Sequence, residues 1–337
     1  MTTALAAWAS KTRYHARPSF VPVIVLPMTS DALAVLRHHL DTALQAMPGE
    51  TRRLLHGRGQ RWPGLEQVTA DWLQGVVLVS LFREPAPEFL DTLKALLLDW
   101  TADPAWAKAG GQTLLLQHRY LPASPTECLL GEVVSPWVIE ENGLRYSLDL
   151  GRSQNTGLFL DMRYGRQWVQ AQSQGKRVLN LFAYTCGFSV AAIAGGATGV
   201  VNLDMAKAAL SRGRDNHRLN GHDLSTVSFM GHDLFKSWGK VIKAGPYDLV
   251  IIDPPSFQKG SFVLTQDYRK VLRRLPEVLS EGGQVLACLN DPQIGADFLI
   301  DCMAAEAPQL SFVERLDNPP EFADIDPQAG LKALVFR

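Results

Sequence analysis

Residues 178–204 read VLNLFAYTCGFSVAAIAGGATGVVNLD. The opening run, Val178-Leu179-Asn180-Leu181-Phe182, has the character of a short strand buried on both faces. A tight turn follows at Ala183-Tyr184-Thr185-Cys186-Gly187. Small residues from Phe188 to about Ala194 then predict a helix, which Gly195-Gly196 ends. A second β-run, Gly199-Val200-Val201-Asn202-Leu203, closes on Asp204. This is a β-α-β unit with an acidic residue at the tip of its second strand. Such a unit holds a nucleoside at the carboxyl edge of a parallel sheet, with the acid on the ribose hydroxyls. A plain β-α-β unit with an incidental Asp204 is the competing reading.

The turn is not the glycine-rich dinucleotide loop. Only Gly187 is present, and Tyr184 and Thr185 occupy places where pyrophosphate would need glycine to approach the backbone. That argues against a nicotinamide or flavin dinucleotide. It suits a ligand with ribose and adenine but no phosphate, which describes S-adenosylmethionine.

Working outward, a chain of 337 residues suggests two domains. Apolar residues make up 46% and charged residues 20%, ordinary values for a globular enzyme. The net charge of −1 gives no global drive toward nucleic acid, so any RNA contact must come from a local patch. No signal-peptide layout and no apolar run of membrane-spanning length is visible. Cys128, Cys186, Cys288 and Cys302 lack metal-site or disulfide spacing, so no metal is expected. A reduced, cytoplasmic protein follows, and a dimer is compatible with the sequence.

The N-terminal part reads as α+β in small pieces. Residues to Pro22 suggest a loose arm and Val23–Leu26 an edge strand. Leu33, Leu36, Leu40 and Leu44 fall at helical spacing in a helix from Ser30 to about Met47. In Arg52–Trp72, Arg52, Arg53, His56, Arg58 and Arg61 form the densest basic patch, near Trp62 and Trp72. Basic groups interleaved with aromatics hold phosphates and stack bases; a solvated turn with tryptophans packed beneath is an equal reading. A strand at Val76–Phe82, a helix at Pro87–Trp100 and a strand at Thr113–Tyr120 follow. Asn142-Gly143 between two alternating runs is a hairpin signal. The boundary is placed at Thr126: residues 1–126 form a small α+β domain, a candidate RNA contact, and residues 127–337 a second domain with a β-hairpin lead-in.

After Asp204 the α/β alternation continues through Val227–Met230, Tyr247–Ile252, Gln284–Leu289, Leu310–Leu316 and Leu331–Phe336, with one helix predicted over Asp267–Leu279. The expected fold is α/β, a Rossmann-like seven-stranded, mostly parallel sheet whose last strand joins antiparallel. Polar residues recur at the strand tips: Asn180–Gly187, Asp204, Asp233, Asp253–Phe257 and Asn290-Asp291. Ligands bind at that edge. In Asp253-Pro254-Pro255-Ser256-Phe257, two prolines stiffen the loop and remove two donors. A carboxylate and carbonyls are left facing a substrate, and Phe257 is placed to stack on a base. Asp161 and Arg163, near a helix start, could grip an amino acid; on spacing alone a capped surface helix is the better reading.

From about Gly131 to Arg337 the chain resembles the class I S-adenosylmethionine-dependent methyltransferases that modify large-subunit ribosomal RNA. Four segments carry the resemblance: Asn155–Arg163, Asn180–Ser189, Asp253–Phe257, and Gly282-Gly283 before a strand. Arg58-Gly59 and Pro63-Gly64-Leu65 look like the small domain preceding the catalytic one in that family, while its PUA module has no visible counterpart. The resemblance implies roles. Asn180, Phe182, Tyr184, Thr185 and Gly187 would line the methionine part of the cofactor. Asp204, with Met205 beside it, would bind the ribose, and Asp233 the adenine amine with Leu234 beside the ring. Thr156, Phe159, Asp161 and Arg163 would complete the pocket. Asp253, Pro254, Pro255, Phe257 and Asn290 would face the acceptor base.

Members of that family that make 5-methylcytosine carry a nucleophilic cysteine at the end of the strand after the double glycine. Here the matching place is Asn290, as in members that methylate a guanine ring nitrogen. The expected acceptor is therefore a base nitrogen of RNA, which needs alignment and no covalent step. Cys288, two residues earlier, reads as core packing; its use as a nucleophile on cytosine carbon 5 is the alternative. A small-molecule or protein acceptor, and a non-catalytic cofactor- or RNA-binding protein, are the remaining alternatives.

Overall fold

The computed structural model describes residues 30–46, 49–151, 154–255, 257–258 and 262–337. The arm to Pro22, the strand expected at Val23–Leu26, Ser256 and the side chain of Phe257 lie outside the described residues. The first helix, α1 (Ser30–Gln45), buries Leu33, Leu36, Leu40 and Leu44, as their spacing requires.

Five strands follow: β1 (Arg52–His56), β2 (Val68–Trp72), β3 (Val76–Leu81), β4 (Thr113–His118) and β5 (Thr126–Leu130). They form one sheet in sequence order, with α1, α2 (Pro87–Thr101) and α3 (Pro104–Lys108) contributing to its core. The basic Arg52–Trp72 segment, expected as a turn-rich lead to a strand, holds two antiparallel strands of this sheet. Trp72 is 1% exposed and meets Trp106 edge-on, so it packs the core and stacks on no base. The strand β5 pairs with β4, so this sheet runs past the boundary expected at Thr126.

A hairpin of β6 (Trp137–Glu141) and β7 (Leu144–Leu148) comes next. Asn142 and Gly143 both take positive φ, +53° and +74°, as a two-residue primed turn requires. The hairpin touches both neighbours. Trp137 Nε1 donates to Leu73 O at 2.6 Å on the first sheet, and Ser147 N donates to Asn216 Oδ1 at 2.8 Å in the second half. One apolar cluster joins Leu73, Leu78 and Leu115 to Ile139, Tyr146, Val190 and Ala191.

The second sheet is built from β8 (Arg177–Leu181), β9 (Gly199–Asp204), β10 (Val227–Gly231), β11 (Tyr247–Ile252), β14 (Leu279–Leu289), β15 (Phe312–Leu316) and β16 (Lys332–Phe336). Two short strands, β12 (Phe257–Gln258) and β13 (Phe262–Val263), pair outside it. The order is β10-β9-β8-β11-β14-β16-β15. The first five are parallel, and β16 lies antiparallel between β14 and β15. The chain winds outward from β8 to β10, then crosses to β11 on the other side, so β8 and β11 flank a switch point. The connecting helices are α4 (Arg163–Gln172), α5 (Gly187–Ala194), α6 (Lys207–Leu219), α7 (Trp238–Ala244), α8 (Leu264–Leu272), α9 (Leu275–Val278) and α10 (Asp297–Glu306). The sequence predicts a single helix over Asp267–Leu279; there are two, because Pro276 lacks the N–H that a continuous helix would use and instead starts α9. Among the described residues no helix is long and apolar enough to cross a membrane.

Candidate active site

Strand register brings the tips together. Leu181 pairs with Leu203 and with Ile252, Gly231 with Asp204, and Ile252 with Ala287. Phe182, Asp204, Asp253 and Asn290 therefore leave the sheet at one edge. They border a cavity of about 470 Å³.

The loop after β8 forms the floor. Phe182, Tyr184 and Cys186 all take left-handed φ, +59°, +47° and +64°. None is glycine, and each such residue costs about 1 kcal/mol or more. The surroundings hold them there. Tyr184 N donates to Asp204 Oδ2 at 2.8 Å, Cys186 N to Ala183 O at 2.7 Å, and Thr185 Oγ1 to Gly157 O. Gly187 follows at a close approach: a Cβ there would lie 3.2 Å from Leu158 Cδ1.

Asp204 Oδ1 also accepts from Ala206 N at 2.7 Å. Each carboxylate oxygen thus takes one backbone donor and keeps acceptor capacity toward the cavity. Asp233 Oδ1 accepts from Phe235 N at 2.9 Å, capping the turn Leu234–Lys236 and presenting Leu234 and Phe235 as a wall. Phe262 extends that wall, 5.1 Å from Phe182 and 6.4 Å from Phe235 between ring centres. Phe159 and Tyr184 face each other at 5.5 Å.

On the far side, Asp253 and Asp161 share the lining. Burial pushes the Asp253 carboxyl up to about 7, and the Asp161 charge adds to the rise while Arg166 opposes it. Burial raises Asp161 as well. Arg166 is held by a buried bidentate pair with Glu141, at 2.7 and 2.8 Å. The Tyr268 hydroxyl donates between the carbonyls of Ile252 and Cys288, at 3.2 and 3.0 Å, and ties the ends of β11 and β14. Cys288 is 0% exposed, and burial raises its thiol far above the ordinary range. Asn290, exposed, lines the cavity beyond it.

Several expected residues lie elsewhere. Arg163 pairs with Glu50 and donates to Asn142 Oδ1 at 3.2 Å; its side chain joins the hairpin turn to the segment just before β1 and is not among the residues lining the cavity. Asn180 is buried inside the sheet, where Nδ2 donates to Asn202 Oδ1 at 2.9 Å; Asn202 passes a bond to Ser189, and Ser189 meets His217. Thr156 lines a neighbouring cavity rather than this one. Phe159 and Asp161, which the resemblance assigns to the pocket, border the cavity; Asn155, Gly157, Leu158, Met162, Arg166, Phe188, His232, Phe235, Phe262 and Leu331 supply further lining to which the sequence reading assigns no individual role. Lys332 is another residue that the pattern does not single out. It is fully buried, and its Nζ donates to Asp291 O at 2.6 Å and Gln328 O at 3.0 Å, which fixes the loop after β14.

A family model described as S-adenosylmethionine-dependent methyltransferase matches residues 52–337. The chain belongs to this methyltransferase family. Ribosomal RNA large subunit methyltransferase I of Aeromonas salmonicida is 39% identical over 155 residues, 45% of this chain and 39% of that protein. The protein of the same name from Photobacterium profundum is 30% identical over 274 residues, 77% of this chain and 68% of that one. The crystal structure of SMU.776 complexed with SAH superposes with a TM-score of 0.80 at 25% identity, covering 91% of this chain and 80% of that chain. The match spans about two fifths of the first relatives' length, 39% and 42%.

The methyltransferase cavity fits the cofactor of its family, S-adenosylmethionine. Asp204 keeps acceptor capacity for a diol, Leu234 and Phe235 offer an apolar wall for a purine, and the floor carries no glycine-lined cradle for pyrophosphate. When bound, that cofactor supplies an electrophilic methyl group.

Proposed function

We propose that this methyltransferase modifies a base nitrogen of RNA, with large-subunit ribosomal RNA as the substrate class. The observation that carries the choice of atom is the contrast at the end of β14. Cys288 is sealed in the core with a protonated thiol, while Asn290 borders the cavity. Carbon methylation of cytosine needs a thiolate that can reach the ring. Nitrogen already has its lone pair, so the protein must align it, hold the base and take a proton.

In this reading Asp204 binds the ribose hydroxyls, Asp233 and Leu234 the adenine, and Phe182, Tyr184, Thr185 and Gly187 the methionine part. Asp253 accepts the departing N–H proton at a carboxylate oxygen. Pro254 and Pro255 keep its loop stiff, and Asn290 hydrogen-bonds the base. The N-terminal unit, taken through the five-stranded sheet, contacts the RNA, and such a substrate places the protein in the cytoplasm. The names of the relatives, all large-subunit ribosomal RNA methyltransferases, support the choice of RNA.

The test is mass spectrometry of ribosomal RNA from cells lacking the protein, followed by labelled-methyl transfer to that RNA in vitro. One methylated nucleoside, modified on nitrogen, should disappear and be restored. Cys288→Ala should retain transfer; loss of activity in that variant, with a covalent RNA adduct trapped by the parent protein, overturns the nitrogen assignment.

A further inference from the structure

A second cavity, about 670 Å³, opens between the two sheets. It shares Asn155, Gly157, Leu158, Phe159, Asp161 and Asn290 with the cofactor cavity, so the two meet along one wall. At its far side Phe82 has two guanidinium groups over its ring: Arg58 with its carbon 4.3 Å from the ring centre, and Arg119 at 4.9 Å. Stacking of this kind fixes the planes of both guanidiniums and turns their edges, not their faces, toward hydrogen-bond acceptors.

The arginines there are not equally paired. Arg53, next in line, is neutralised by Asp71 at 2.8 Å. Among the described residues neither Arg58 nor Arg119 forms an ion pair. Asp324, one of the carboxylates lining this cavity with Glu66, Asp71, Asp161 and Asp326, lies 3.7 Å from His56, and its charge also reaches Arg58 without a direct ion pair. Arg119 donates only to uncharged oxygens, Gln154 O at 2.7 Å, Asn155 Oδ1 at 3.2 Å and Gln117 Oε1 at 3.4 Å, and its Nε is buried without a partner. Burial lowers the pKa of Arg119, and the charges of Arg58 and Arg53 lower it further, opposed by Asp71 alone. An anion between Arg58 and Arg119 would relieve this crowding.

We infer that the inter-sheet cavity receives the acceptor nucleotide, with its phosphate on Arg58 and Arg119 and its base directed along the shared wall toward Asp161, Asp253 and Asn290. The inference rests on the RNA reading above and adds the place where the substrate is gripped. The N-terminal sheet thereby serves the reaction, since β1, β3 and β4 supply the backbone on which the phosphate-binding corner stands.

The test uses the full chain, unmodified large-subunit ribosomal RNA made by transcription, and labelled S-adenosylmethionine. In Arg58→Ala, KM for RNA should rise about ten-fold, as expected for a lost charged hydrogen bond, with cofactor affinity by calorimetry unchanged. The slope of log affinity against log salt should fall by about 0.7. Arg58→Lys, which keeps the charge, should recover most of the loss. An unchanged KM in Arg58→Ala overturns the phosphate site while leaving the RNA reading standing, and so does an equal loss in both variants, which marks a packing role. No transfer to RNA by the parent protein overturns the RNA reading, and the site with it.

Discussion

In the proposed reaction, Asp253 is the residue on which the chemistry turns. Its carboxyl loses a proton at about 7 in the folded protein against an ordinary 3.8. Between those values the folded state holds a proton that the unfolded chain has released. Asp253 therefore makes stability fall as pH rises from about 4 to about 7, and its cost is fully present above that window. Activity should run the other way. If the carboxylate takes the proton, kcat/KM for the cofactor climbs through about pH 7. Asp161→Asn removes a like charge and should move that midpoint downward; a profile unmoved by this change counts against the coupling. Asp253→Asn should lower kcat about a hundred-fold or more with cofactor affinity kept, measured by single-turnover transfer. At this scale the sequence is only partly legible. Asp204 and Asp253 are readable because each stands directly after a mostly apolar run, and Asp233 because it follows shortly after the strand run Val227–Met230. Arg163 and Asn180 are misplaced by such a reading because residue type and position give no hint of their partners. Glu50 lies 113 residues before Arg163, and Asn202 meets Asn180 only through strand pairing.

The loop between β8 and α5 shows how an element can be visible while its conformation is not. Apolar runs and the glycine pair at 195–196 mark the β-α-β unit, and Gly196 does take φ +86° at the helix end. Nothing local announces that Phe182, Tyr184 and Cys186 adopt the left-handed region, since side chains disfavour it. The stabilising groups come from Asp204 and Gly157, distant in sequence. The helix α6 contributes too: a Cβ on Gly213 would sit 2.3 Å from Cys186 Sγ and 2.9 Å from Cys186 Cβ. Gly213→Ala should therefore destabilise the protein by about 1–3 kcal/mol and weaken cofactor binding in the same variant. Equal cofactor affinity, by calorimetry, would show that the loop is not fixed from this side. The two strands in Arg52–Trp72 escape a sequence reading for a related reason: the arginines and glycines of a cavity wall mask a strand pattern that only the buried face reveals.

Across the molecule, the hairpin β6–β7 is the strut between the sheets. Glu141 and Arg166 are 1% and 4% exposed, and their pair links the hairpin to α4. Removing one partner leaves a buried charge, so Glu141→Ala should cost about 3–5 kcal/mol. Because one apolar cluster spans both sheets, calorimetry should show a single unfolding transition, shifted down as a unit in this variant; two separated transitions would contradict it. The thin partition between the cavities has its own consequence. Asn155 accepts from Arg119 with its side chain and from the Tyr184 hydroxyl with its carbonyl. A guest on either side must tug the same residue. Whatever factor one guest imposes on the grip for the other, the second imposes in return. Loading order can change the speed of assembly, but the filled complex is equally tight by both routes.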